Sequence, residues 1–168
     1  AYEYVVNRLL WDNLSERLPP LVLCLMPTVG MLLTYAIIKL GKVTWTSMAD
    51  EVVRAYHQPQ EGLNYRRAGA KLAASIATMG FGGSAGMEGA SKWLGAMIAG
   101  FLQTQINRWS PFKVLRIKTE TTMLAGAAAG IAAIFRAPLT GAIMGIESPF
   151  KHDLAHETLL HGLLASAM

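Results

Sequence analysis

The chemistry that this sequence suggests centres on one carboxylate, that of Glu88, in a stretch that is otherwise small and uncharged. Between Lys71 and Lys92 it is the one charged residue. The stretch around it is rich in glycine, at Gly80, Gly82, Gly83, Gly86 and Gly89. An ionisable group is costly inside a membrane and is usually kept there for function. Since long apolar runs flank the stretch on both sides, the pattern indicates a functional site within a lipid bilayer.

The composition favours a membrane protein. Hydrophobic residues make up 52% of the 168 residues and charged residues only 15%, whereas a soluble domain carries about 25% charged residues. The net charge of +4 is scattered and forms no basic stripe with interleaved aromatics, so nucleic acid is not expected as a partner. The single cysteine, Cys24, excludes an internal disulfide and shows no metal-ligand spacing.

Three apolar stretches are candidates for membrane helices. Residues 18–38 carry no charge and match the roughly 20 residues that a spanning helix needs. Residues 72–80 and 90–107 are predicted to form two segments that meet at a glycine-rich break containing Glu88. A shorter segment, residues 43–56, is predicted to form a helix with Ser47 at its N-cap and acids in its first turn.

The third stretch, residues 121–147, is predicted to form two half-length helices because Arg136-Ala-Pro138 interrupts it. Its glycines come in pairs four residues apart, Gly126 with Gly130 and Gly141 with Gly145, which favours close packing of helices in lipid. Short, interrupted apolar segments are typical of discontinuous helices in transport proteins. The sequence therefore predicts an all-α, polytopic membrane protein with tilted and discontinuous helices. Because the chain lacks an initial Met and ends in an apolar run, we expect a fragment of a longer protein.

Enzyme signatures overlap the glycine-rich stretch without their usual context. Residues 82–86 fit the G-x-S-x-G pattern of a nucleophile elbow, but no strand is predicted before Ser84. The glycines at 83, 86 and 89 only loosely resemble a dinucleotide-binding fingerprint, and no βαβ unit surrounds them. We therefore do not expect an enzyme or a cofactor.

Anion transport is the function that the stretch favours on physical grounds. A helix that begins inside a membrane points unpaired N–H groups and the positive end of its dipole into the cavity, and glycines allow an ion to approach the backbone. An ionised Glu88 would compete with the anion, and protonation would end that competition. The alternative is that Glu88 pairs with a nearby cation in a packing role.

Two motifs resemble the CLC family of chloride channels and chloride/proton antiporters. The segment Gly83-Ser-Ala-Gly-Met-Glu88-Gly resembles the family's G-[KR]-E-G-P motif. Residues 126–141, GAAAGIAAIFRAPLTG, are very similar to the family's run GAAAGLAAAFNAPLAG. The resemblance implies that residues 1–168 are the N-terminal half of a CLC-type membrane domain, which is built from two inverted halves.

The resemblance assigns roles to the residues that match the motifs. Glu88 takes the place of the gating glutamate, and Gly86, Met87 and Gly89 flank it as anion-binding positions. Ser47 falls, by distance along the chain, where the family has its central chloride-coordinating serine, although the motif around that serine is absent. Met87 stands where the family usually has a basic residue.

The proton-transfer position separates a channel from an antiporter. Antiporters of the family carry an internal glutamate after the second motif, and here Glu147-Ser148 lies at that place. If Ser148 occupies the position, it cannot titrate and a channel of the voltage-gated type is expected. If the register is shifted by one residue, Glu147 takes the role and the protein is a chloride/proton antiporter.

The resemblance also implies partners that lie outside these residues. The family works as a homodimer in a lipid bilayer, and the remaining chloride ligands come from the C-terminal half of the same chain. We expect a multi-pass protein of the cell membrane that carries chloride or a similar anion. The rival hypothesis from another class is a helical membrane anchor or assembly module that transports nothing.

Overall fold

The computed structural model describes residues 4, 12, 13, 16, 19–43, 47–58, 63–109, 118–149 and 156–168. These ranges contain helices and no strand, which confirms the all-α prediction. The helices with both ends described are α1 (Pro20–Leu40), α2 (Met48–His57), α3 (Ala68–Gly80), α4 (Met87–Trp109), α5 (Thr119–Phe135), α6 (Pro138–Glu147) and α7 (His156–Ala167). A single 3-10 turn, Tyr65–Arg67, precedes α3. The chain divides into two compact units, one with α1 and α3 and the other with α2 and α4 to α7.

Helix α1 is the one described helix that is long and apolar enough to cross a membrane, by length and composition. Pro19 is its N-cap and Pro20 its first residue, where a missing N–H costs nothing. The helix continues through Pro27. Its apolar side chains are largely uncovered within the chain, as Leu21 shows with 84% exposure, so this helix relies on surroundings outside its own unit to cover it.

Helices α1 and α3 form the first unit through small and hydroxylated residues. A side chain at Gly30 would collide with Phe81. Thr34 Oγ1 donates to the carbonyl oxygen of Ala74 at 3.0 Å and lies 2.7 Å from Thr78 Oγ1. The absence of a side chain at Gly30 leaves room for Phe81 and lets α1 approach α3 closely, as expected for helices that pack in lipid.

Helix α5 is the centre of the second unit, where α4, α6 and α7 all pack on it. Gly126 faces Gly95 of α4, and Gly130 faces Ser91, whose Oγ donates to the Gly130 carbonyl oxygen. On α6, Gly141 and Gly145 lie against alanines of α5. A β-carbon at any of these four glycines would meet backbone atoms of the neighbouring helix. This confirms the prediction of close packing from the two glycine pairs.

The predicted break at Arg136-Ala-Pro138 separates α5 from α6. Arg136 caps α5 in the left-handed conformation, with φ 51° and ψ 36°, and the Ala137 N–H donates back to the Ala132 carbonyl oxygen at 3.3 Å. Pro138 then begins α6. The two halves have 17 and 10 residues.

Three predicted boundaries were wrong. Helix α4 begins at Met87 rather than at residue 90, so Glu88 lies in its first turn and not in a break. The glycine-rich break is confined to residues 81–86. Helix α3 begins four residues before the predicted start, and α2 begins at Met48 rather than at residue 43.

Candidate functional site

Helix α2 begins with Ser47 at its N-cap, as the sequence predicted. The Ser47 carbonyl oxygen accepts the N–H of Glu51 at 3.0 Å, which closes the first turn. The exposed Ser47 side chain makes no capping hydrogen bond to that turn. Asp50 and Glu51 occupy the first turn, where carboxylates favour the positive end of a helix dipole. The hydroxyl is therefore not committed to capping, and an N–H-rich helix start adjoins it.

Helix α4 begins beside this turn. Glu88 is its second residue and is exposed, while Met87 and Gly89 are half-buried. A β-carbon built on Gly89 would lie 3.9 Å from the Ala49 Cβ and 4.0 Å from the Ala49 backbone nitrogen. The first turns of α2 and α4 thus lie beside each other, far enough apart for a methyl group to fit at Gly89. Ser47, Met87, Glu88 and Gly89 belong to one compact unit around this contact.

The remaining predicted site residues lie elsewhere. Gly86 is exposed in the segment before α4, and a β-carbon there would meet nothing within 4 Å. Glu147 is the exposed last residue of α6, and Ser148 caps that helix, its Oγ donating to the Gly145 carbonyl oxygen at 3.2 Å.

A hydrogen bond joins the end of α2 to the residue after Ser148. The Nε2 atom of His57, at the C-terminus of α2, lies 2.7 Å from the Pro149 carbonyl oxygen, and Nε2 must be the donor because a carbonyl only accepts. The start of α2 therefore lies beside Gly89, the neighbour of the gate candidate, and its end is bonded to Pro149, the residue after the proton-transfer candidates.

A hydrogen bond between α2 and α4 supports the contact of the two helix starts. The indole Nε1 of Trp93 donates to Glu51 Oε2 at 3.1 Å, and the Trp93 side chain is only 1% exposed. Trp93 therefore serves in packing and not in an interfacial belt. Sequence reasoning missed this pair because 42 residues separate its members. The sequence did offer one sign of this pair: Trp93 follows the candidate gate Glu88 by little more than one helical turn, where a large side chain could pack beside the site.

Replacing Trp93 by Phe is expected to destabilise the second unit by about 1–3 kcal/mol, because it removes the buried donor to Glu51 and leaves space behind. Thermal unfolding of the purified protein in detergent measures the change. Trp109→Phe is the matched control, since Trp109 is 82% exposed and its loss should change stability by less than about 0.5 kcal/mol. Equal effects of the two substitutions would contradict the role of Trp93.

Two side chains near the helix starts could not be placed from sequence. Lys92, in the second turn of α4, is buried at 6% exposure. Asp50 is close enough for its charge to act on Lys92. No cluster of His, Cys, Asp and Glu suited to a metal ion occurs among the described residues. The site is thus built from helix starts, carboxylates and a lysine whose side chain is largely buried.

Comparison with known proteins agrees with this architecture. The sequence model of the voltage-gated chloride channel family matches residues 29–168. A protein named "Chloride/fluoride channel protein" from Pseudomonas syringae pv. tomato (strain ATCC BAA-871 / DC3000) is 28% identical over 128 residues, which is 76% of this chain and 27% of the relative. The chain thus spans about a quarter of the length of that relative. No solved structure matches it significantly. Since the family match covers most of the chain, this chain belongs to the voltage-gated chloride channel family.

Proposed function

We propose that the whole protein carries small anions across a lipid bilayer, with the first turns of α2 and α4 forming part of the anion site. The observation that carries this proposal is the contact of the two helix starts at Ala49 and Gly89. Each start presents backbone N–H groups without intrahelical partners, and the two dipoles add their positive ends. Such a site attracts an anion without a fixed full charge from the backbone, so binding stays weak enough for conduction.

Glu88 acts as the gate in this proposal. Its carboxylate sits in the first turn of α4 and is exposed, so it can reach the space that an anion would occupy. The ionised form competes with the anion for the same N–H groups, and the protonated form does not. Ser47, Met87 and Gly89 are the proposed anion-binding neighbours, with the Ser47 hydroxyl as donor, and Gly86 is proposed for this role only from its place in the motif directly before α4.

Channel activity is favoured over antiport by the end of α6. The hydroxyl of Ser148 cannot release a proton near neutral pH, and it donates to the Gly145 carbonyl oxygen. An antiporter would have to use Glu147, which is exposed one residue earlier. We propose a channel of the voltage-gated type, and antiport is the alternative to be tested.

The family suggests where the protein works and which ion it carries. Its members are membrane proteins that need no cofactor, and chloride is the ion that they carry. We propose a multi-pass protein of the cell membrane that works as a homodimer, in which residues 1–168 supply the N-terminal half of the membrane domain. The relative's name mentions both chloride and fluoride, so both ions belong in the test.

Flux from liposomes tests the proposal. Vesicles with the whole protein are loaded with chloride or fluoride, and efflux and external pH are recorded together, with protein-free vesicles as the control. We expect anion efflux without linked proton movement. Proton uptake driven by the anion gradient would instead show antiport, and Glu147→Gln should then uncouple it. Absence of flux from folded protein would favour the anchor or assembly module.

A further inference from the structure

The charges of the first unit, from α1 onward, are all positive. Its segments 19–45 and 64–86 contain no Asp or Glu and five basic residues, Lys39, Lys42, Arg66, Arg67 and Lys71. The first four are exposed, whereas Lys71 is buried and has an interaction partner. These segments therefore present four exposed positive charges and supply no carboxylate to balance them.

The four exposed cations gather at one end of the unit, where α1 ends and α3 begins. A β-carbon built on Gly41, the C-cap of α1, would lie 3.0 Å from the Ala70 Cβ in the first turn of α3. The two lysines flank Gly41, and the two arginines end the 3-10 turn directly before α3. The cations thus form one basic cluster, which consists of Lys39, Lys42, Arg66 and Arg67.

This basic cluster lies at the end of the helix that is long enough to cross a bilayer. Helix α1 has 21 residues, so it extends over about 30 Å, the thickness of the hydrocarbon layer. The Lys39 Nζ lies 5.6 Å from the centre of the exposed Tyr35 ring, one turn earlier. Tyrosine and lysine at a helix end are typical of the headgroup layer, where the apolar stem and the polar tip both find suitable surroundings. The cluster therefore lies at the depth of lipid phosphates.

The backbone at Lys42 is unusual for a lysine. It has the left-handed conformation, with φ 48°. The Lys42 N–H donates to the Lys39 carbonyl oxygen at 3.3 Å and the Val43 N–H to the Ile38 carbonyl oxygen at 3.0 Å, which is the Schellman pattern at a helix end. Glycine usually occupies this position because it has no β-carbon to strain. The turn itself therefore does not call for a lysine here.

We propose that the basic cluster binds the headgroups of acidic phospholipids at one surface of the bilayer. The inference goes beyond anion transport and does not depend on it. A lipid phosphodiester is negatively charged, and a guanidinium can bind two of its oxygens at once. Each Lys or Arg beside a membrane with acidic lipids raises the affinity by about fivefold. A β-carbon on Gly69 would meet nothing within 4 Å, so the first turn of α3 is open to a headgroup on that side.

Native mass spectrometry of the purified whole protein in detergent tests the inference, because it resolves single bound lipids and gives their dissociation constants. We expect phosphatidylglycerol, which is acidic, to bind more tightly than phosphatidylcholine, which has no net charge. Lys42→Gly should raise the dissociation constant of phosphatidylglycerol about fivefold, and Arg66→Gln combined with Arg67→Gln about twentyfold. Lys42→Gly should also unfold at the same or a higher temperature, since glycine suits the left-handed turn.

Arg136→Gly is the matched control for Lys42→Gly. Arg136 is also an exposed cation in the left-handed conformation at the end of a helix, but its nearest basic neighbours in sequence are Lys118 and Lys151. Its loss should leave the dissociation constant of phosphatidylglycerol unchanged.

Three results would overturn the inference. The first is equal binding of the two lipids to wild type, and the second is an equal loss of phosphatidylglycerol binding in Lys42→Gly and Arg136→Gly. The third is displacement of phosphatidylglycerol by an equal concentration of inorganic phosphate, which would identify a site for a soluble anion. None of these readings involves anion flux, so a failure of the proposed function remains distinguishable from a failure of this inference.

Discussion

Replacing Glu88 by Gln in the whole protein is expected to raise anion flux at neutral pH about tenfold or more and to remove the rise in flux on acidification. An ionised carboxylate about 4 Å from an anion opposes it by roughly 1 kcal/mol in bulk water and by about 4 kcal/mol at the effective dielectric near a protein surface, and 1.4 kcal/mol is a factor of ten. Gln keeps the size of the side chain but cannot ionise. The variant should therefore behave at all pH values as wild type behaves in acid. Flux from liposomes over a series of pH values measures this.

Glu120→Gln provides the matched control for Glu88→Gln. Glu120 also lies in the first turn of a helix, α5, but it is remote in sequence from both starts that form the candidate site. Its neutralisation should leave the pH profile of flux unchanged. A wild-type pH response that survives in Glu88→Gln, or that is lost equally in Glu120→Gln, would contradict the gating role.

Replacing Gly126 by Ala is expected to destabilise the second unit by about 3 kcal/mol, near the upper end of what overpacking costs. The new β-carbon would collide with the Gly95 carbonyl oxygen and with Ala99 Cβ. Since a backbone carbonyl cannot rotate away as a long side chain can, α4 and α5 must separate. Thermal unfolding in detergent, followed by the fraction of protein that remains monodisperse, measures the loss.

Gly69→Ala is the control for this substitution. Gly69 lies on an exposed part of α3, and a β-carbon there would meet nothing within 4 Å. Alanine is the better helix former, so this variant should be as stable as wild type or more stable by up to about 1 kcal/mol. Equal stability of Gly126→Ala and wild type would show that α4 and α5 do not depend on their close approach.

Local rules explain what could be predicted from the sequence. The interruption at Arg136-Ala-Pro138 follows from proline's missing N–H and its ring, which disfavour the preceding helical turn, although α1 accommodates Pro27 without ending. The glycine pairs on α5 and α6 follow from the spacing of one helix face. Ser47 at an N-cap also needs only its neighbours in sequence. Each of these features appears in the structure where it was expected.

Contacts between distant segments could not be predicted in the same way. The glycine content of residues 80–89 suggested one continuous break, but Gly89 lies inside α4, which begins at Met87. The burial of Lys92 and the bond from Trp93 to Glu51 depend on where α2 lies, which its own residues do not encode. The family resemblance supplied roles for Glu88 and Ser47, and the nearness of their two helices is a separate observation from the structure.

The shortness of α5 and α6 has a consequence for how the protein enters the membrane during synthesis. At 1.5 Å per residue they reach only about 26 Å and about 15 Å, against about 30 Å of hydrocarbon. Helix α6 is too short to span the hydrocarbon by itself, and the 17 residues of α5 are at the lower limit for a spanning helix. Since the glycines of α5 pack on α4 and those of α6 pack on α5, we expect the three helices to enter the membrane together rather than one at a time.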